Sequence, residues 1–187
     1  AGLLVKNSHI KIKNVGLNPG RIGALQVLKR MGAQIEIKPV KEINCEPIGE
    51  IDVKTSNLKG TEILPEEIPS LIDEIPLLAV LACSAEGKTV LTGAEELRVK
   101  ETDRLKAIAS ELKIMGAKVK ELPAGWEITG PTKLKGALVE SFGDHRMVMA
   151  LAIAGLVSQG ETIVENAGTV DVSFPNFFKT LDRLGKD

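Results

Sequence analysis

The residues best equipped for chemistry lie in one short loop, Arg98-Val99-Lys100-Glu101-Thr102-Asp103-Arg104, where five of seven positions are charged. Two guanidinium groups and an ammonium beside two carboxylates can grip an anion and move a proton at the same place. Asp144-His145-Arg146 repeats the pairing of acid with arginine, and Asp73 precedes Glu74 and Pro76. Each also has an ordinary reading: Thr102 as a helix cap with Asp103 in the first turn, Asp144 as a cap with Arg146 on the surface, and Asp73 as a first-turn acid. His9 is expected to be structural, Trp126 to pack, and Cys45 and Cys83 to be inert thiols, while His145 is open.

The elements that carry these residues recur along the chain. Leu28-Lys29-Arg30-Met31-Gly32-Ala33 returns as Leu112-Lys113-Ile114-Met115-Gly116-Ala117, and more weakly as Leu181-Asp182-Arg183-Leu184-Gly185. Leu105, Ile108, Leu112 and Met115 form one stripe of an amphipathic helix closed by Gly116, and Phe174, Phe177, Leu181 and Leu184 repeat the stripe. A strand precedes each such helix: Ile10 to Ile12, Thr89 to Leu91, Thr162 to Val164. Apolar helices are expected at Pro76 to Ala85 and Met147 to Ser158. Strands are expected at Gln34 to Lys38 and Lys118 to Leu122, the latter turning at Pro123-Ala124-Gly125 into Trp126 to Thr129.

The unit is therefore helix, strand, helix, hairpin, in an α/β chain of three repeated units at about 1–58, 59–130 and 131–187 within a single lobe. The first unit is incomplete, with Ala1 to Val5 reading as the end of its leading helix, so the chain is expected to be a fragment of something longer. A helix, a short returning strand and a second helix bring both helix N-termini to one end of the unit. Asp73 and the loops Arg98 to Arg104, Ser141 to Arg146 and Gly168 to Ser173 should then share a face, where unpaired N–H groups and helix dipoles favour anions.

The repeat is its own control. Gly16 to Gly20 and Gly168 to Ser173 make the same entry into a helix with a single charge between them. Folding the unit does not call for the charge in Arg98 to Arg104, which favours function there over a solvated helix start.

Composition limits what the anion can be part of. Lys and Arg number 24 against 25 Asp and Glu, a net charge of −1, so no bulk positive field draws the chain to nucleic acid or an anionic membrane. Any anion must be held by local groups. The run Leu77 to Cys83 falls far short of the roughly 18 residues that span a bilayer. Two cysteines without close spacing and two histidines make a poor metal set, and free thiols suit a reducing, cytoplasmic setting.

Arg98-Val99-Lys100-Glu101-Thr102-Asp103-Arg104-Leu105, then Asp144-His145-Arg146-Met147, then Ser173-Phe174-Pro175-Asn176-Phe177, resembles the C-terminal part of the enolpyruvylshikimate-phosphate synthase family, the 3-phosphoshikimate 1-carboxyvinyltransferases. The likeness runs through the whole chain in order. It implies one lobe of a two-lobed enolpyruvyl transferase, with the N-terminal lobe as missing partner and the isolated piece inactive. The reaction implied is transfer of the carboxyvinyl group of phosphoenolpyruvate to shikimate 3-phosphate, with release of phosphate, in chorismate and aromatic amino acid synthesis. By the same resemblance Asp73 holds and deprotonates the attacking hydroxyl, Lys100 contacts the shikimate substrate, Glu101 exchanges the methylene proton, and Arg104 and Arg146 grip phosphoenolpyruvate. Neither metal nor organic cofactor is implied.

Two positions depart from the family pattern. Val172 stands where a lysine that touches phosphoenolpyruvate is familiar, and Glu96 where a shikimate-binding asparagine is. Other readings are a noncatalytic repeat scaffold, an enolpyruvyl transferase acting on a nucleotide sugar, and a general phosphate-binding module, though no Gly-rich phosphate loop is present.

Overall fold

The computed structural model describes residues 1–185. Three small sheets follow one another along the chain. In the first, β1 (His9–Gly16), β2 (Gln34–Ile43) and β3 (Glu46–Lys54) pair antiparallel in the order β1-β3-β2, with α1 (Gly23–Arg30) between β1 and β2. In the second, β4 (Glu62–Ile63), β5 (Gly87–Leu91), β6 (Lys118–Leu122) and β7 (Gly125–Gly130) run in the order β4-β5-β7-β6. The third is the parallel pair β8 (Leu138–Glu140) and β9 (Ile163–Glu165).

Helix α2 (Ile75–Ser84) has no polar face, and eight of its ten residues are buried. A helix apolar all round must be surrounded, and α2 packs against α3 (Arg104–Ile114), α4 (His145–Leu156) and β7. Each Leu, Ile or Val so buried contributes about 1.5–3 kcal/mol. Leu105, Ile108, Leu112 and Met115 of the second stripe are all at most 1% exposed in the same core. The third stripe is only partly internal: Phe174 lies ahead of α5 (Phe177–Leu184), and it and Leu184 are exposed while Phe177 is buried. The repeat of the α3 stripe expected there is therefore incomplete, since Phe174 lies outside the helix and Leu184 is exposed.

The short strands β4 and β8 lie outside the expected helix-strand-helix-hairpin unit, and they decide where the helices start. β4 runs parallel to β5 around α2, and β8 parallel to β9 around α4. In such a crossover the helix begins at the carboxyl edge of the first strand. β5 leaves at the edge where β4 ends, so α3 starts there as well. Among the described residues no helix is long and apolar enough to cross a membrane.

Candidate active site

Three segments meet where these helices begin. Asp73 lies in a 3-10 turn (Ile72–Glu74) just before α2, Arg104 opens α3, and Asp144 caps α4, its side chain accepting from the Arg146 backbone N–H. Phe142 and Gly143, at φ 55° and 69°, turn the chain back so that the Asp144 N–H reaches the Ser141 carbonyl at 3.0 Å. A glycine takes the second of these left-handed positions at no steric cost, and the tight turn aims Asp144 inward.

Arg104 is the hub. Its Nε donates to Asp144 Oδ2 at 2.7 Å, its Nη2 to Glu101 Oε2 at 2.7 Å, and its Nη1 reaches Asp73 Oδ1 at 3.5 Å. The Arg104 side chain is 2% exposed and that of Asp144 0%. A buried ion pair persists only when both partners are well bonded, and Asp144 meets this with the guanidinium on one side and the α4 N-terminus on the other. Arg146 donates from Nη2 to Asp73 Oδ2 at 3.0 Å, and its buried Nε has no partner among the described residues. Asp73 thus bridges two arginines that come from different helices, α3 and α4. Glu74, next to it, has its carboxyl pushed above the ordinary carboxylate range by burial; Arg146 opposes that shift and Asp73 adds to it.

Of the residues singled out from sequence, Asp73, Glu101, Arg104 and Arg146 come together, but Lys100 stands apart. Its Nζ pairs with Glu96, four residues back. Asp144, which sequence offered only as a cap, is the deepest member of the cluster. Its partner Arg104 lies on another helix, 40 residues away, and no local pattern reports that contact. The stretch Ala167–Val172 is a 3-10 turn packed on α4; Val172 is 82% exposed, and no residue of the turn bonds to the cluster among the described residues.

The charged loop also serves folding more than the repeat comparison suggests. Asp103, and not Thr102, caps α3: its Oδ1 accepts from the Lys106 N–H at 3.0 Å. Its Oδ2 accepts from Arg98 Nη1 at 2.8 Å, and Arg98 donates further to the Pro123 and Leu122 carbonyls. Burial opposes the charge on Arg98, yet its bonds to Asp103 and Glu121 outweigh burial and hold the guanidinium above its usual range. Thr102 loses the cap because Asp103 satisfies a helix donor and an arginine at once. His9 pairs with Asp52 across β1 and β3, Trp126 is fully buried, and burial pushes the Cys83 thiol up to about 12.

A buried arginine ringed by carboxylates, with a second arginine reaching the same aspartate, suits a substrate that brings several negative charges and exchanges protons. The family model of EPSP synthase (3-phosphoshikimate 1-carboxyvinyltransferase) matches residues 1–181. The chain belongs to the EPSP synthase family. A 3-phosphoshikimate 1-carboxyvinyltransferase of Carboxydothermus hydrogenoformans is 51% identical over 184 residues, covering 98% of this chain and 43% of that protein. One from Thermodesulfovibrio yellowstonii is 52% identical with the same coverage. An EPSP synthase structure from Acinetobacter baumannii superposes with a TM-score of 0.94 at 38% identity, over 98% of this chain and 43% of that one. The enolpyruvyl transferase NikO from Streptomyces tendae has a TM-score of 0.77 at 21% identity, over 98% of this chain and 40% of that one, and shares the fold. This EPSP synthase family chain spans less than half the length of the curated relatives it matches. Among its described residues no three His, Cys, Asp or Glu side chains are grouped to hold a metal ion.

Proposed function

We propose that this chain supplies one lobe of an enzyme that transfers the carboxyvinyl group of phosphoenolpyruvate to shikimate 3-phosphate. The observation that carries this reading is the junction of Asp73 with both Arg104 and Arg146, with Glu101 on the same arginine. The two guanidinium groups hold phosphoenolpyruvate by its carboxylate and phosphate. Lys100 leaves Glu96 to meet the shikimate substrate. Asp73 takes the proton of the attacking hydroxyl as its oxygen bonds to the enol carbon, and Glu101 delivers a proton to the methylene carbon. Glu101 then takes a proton back from the new methyl group as the carbon–phosphate oxygen bond breaks, and the proton on Asp73 is available to the departing phosphate. The setting proposed is cytoplasmic, where Cys45 and Cys83 stay reduced.

The test is to let this chain replace the matching stretch of the Carboxydothermus hydrogenoformans relative and to follow both substrates by phosphorus NMR. Phosphate and the carboxyvinyl ether of shikimate 3-phosphate should appear in equal amounts, whereas the 187-residue chain alone should not turn over. A folded hybrid that binds both substrates and releases no phosphate would favour a noncatalytic scaffold instead.

A further inference from the structure

The segment between Arg98 and Asp103 is a closed loop. Its two ends are joined by the Arg98 Nη1 to Asp103 Oδ2 bond of 2.8 Å, and Val99, Lys100, Glu101 and Thr102 hang between them. Arg98 is anchored outside the loop as well: Nε donates to the Pro123 carbonyl and Nη2 to the Leu122 carbonyl, each at 2.7 Å, and Nη2 lies 2.9 Å from Glu121 Oε1. These acceptors belong to the end of β6 and the turn that follows it. A second tie, from the Ala94 N–H to the Ala124 carbonyl at 2.8 Å, fixes the 3-10 turn (Glu95–Val99) that leads into the segment to the same hairpin. Asp103 is anchored on the other side, as cap of α3.

We infer that Arg98 and Asp103 form a clasp that positions Glu101 for proton transfer, acting as positioning residues that do not touch the substrate. This rests on the proposed carboxyvinyl transfer. Glu101 has a second support, the 2.7 Å bond from Arg104 Nη2. An incoming anion draws on that guanidinium and weakens the support at the moment when the carboxyl must face the methylene carbon. The clasp does not depend on Arg104 and stays closed. Arg104 does not depend on the clasp either, because Asp144 holds it from inside the core. Anion binding and acid placement therefore rest on different residues, and a broken clasp should separate them.

Asp103→Asn tests this cleanly. Asparagine caps a helix about as well as aspartate, so α3 keeps its start, but the carboxylate that closes the loop on Arg98 is gone. In the whole enzyme kcat should fall by about tenfold to a hundredfold, the scale of a misplaced reacting group, while phosphoenolpyruvate affinity stays within about threefold and the unfolding temperature barely moves. Arg98→Lys, which also loses the bonds to the β6–β7 hairpin, should act in the same direction, and the double variant should lose little beyond Arg98→Lys alone, since the contact with Asp103 is then already broken. An unchanged kcat overturns the inference, and so does a joint fall of kcat, affinity and unfolding temperature. Backbone order in the 187-residue chain reports on the clasp even if the transfer reaction itself is disproved. NMR order parameters at Lys100, Glu101 and Thr102 should fall below about 0.6 in Asp103→Asn with α3 unaffected, and unchanged order there would show that the clasp holds nothing.

Discussion

The Nη2 atom of Arg146 lies 3.0 Å from Oδ2 of Asp73, although 73 residues of chain separate them. The same carboxylate reaches Arg104 at 3.5 Å through its other oxygen. Asp73 thus lies between the two guanidinium groups, and under the proposed function it competes there with the substrate anion.

Asp73→Asn should tighten anion binding while it abolishes transfer. A charge-assisted hydrogen bond is worth about 1.5–3 kcal/mol, so removing the internal competitor predicts phosphoenolpyruvate binding about tenfold tighter. Turnover should drop by about 10² to 10⁴ with loss of the base. Titration calorimetry against initial rates in the whole enzyme separates the two effects, and weaker binding would show that Asp73 does not compete for the arginines.

Asp144 holds the hub in place. Asp144→Ala removes the partner of a buried guanidinium and the cap of α4 together. Breaking one side of a buried pair costs about 3–5 kcal/mol, which should appear in urea unfolding of this chain. A loss below about 1 kcal/mol would mean that water reaches Arg104 and replaces the carboxylate.

Stability should also depend on acid through Glu67. Arg30 forks onto it, with Nη1 to Oε1 and Nη2 to Oε2 both 2.9 Å, and this holds the carboxyl below its ordinary range against the opposing effect of burial. A lowered carboxyl contributes stability above its unfolded value and loses it as pH falls through the folded one. Arg30 is exposed and Glu67 only half-buried, so Glu67→Gln should cost about 0.5–1 kcal/mol at pH 7. The cost should shrink as pH falls below the ordinary carboxylate range and through the lowered value of Glu67, and a cost that does not change with acid would place its cause in packing.

How far the sequence could be read follows from the range of each interaction. The stripe Leu105, Ile108, Leu112, Met115 declares α3 because period, cap and closing Gly116 all agree within one segment. β4 has two residues and β8 three, too few to show any period, so the parallel crossovers that align the helix starts went unseen. Thr102 and Asp103 are both capping types, and the choice between them is made by Arg98. The Glu96–Lys100 pair has i,i+4 spacing and is legible in the sequence as an ion pair, whereas a substrate role for Lys100 comes from the family resemblance alone. Asp144 and Arg104 lie 40 residues apart, and only the packing of α3 beside α4 brings them together.

The claim that matters most is that Glu101 is the acid that serves the methylene carbon. Glu101→Gln keeps the size of the side chain and its bond to Arg104 but cannot carry a proton. The direct measurement is exchange of solvent deuterium into the methylene of phosphoenolpyruvate, followed by NMR in the whole enzyme with shikimate 3-phosphate present. Exchange and kcat should fall together by about 10² to 10⁴, with shikimate 3-phosphate affinity within a few-fold of the parent. Normal exchange in that variant, or a loss of substrate binding together with stability, would contradict the account and assign Glu101 to structure alone.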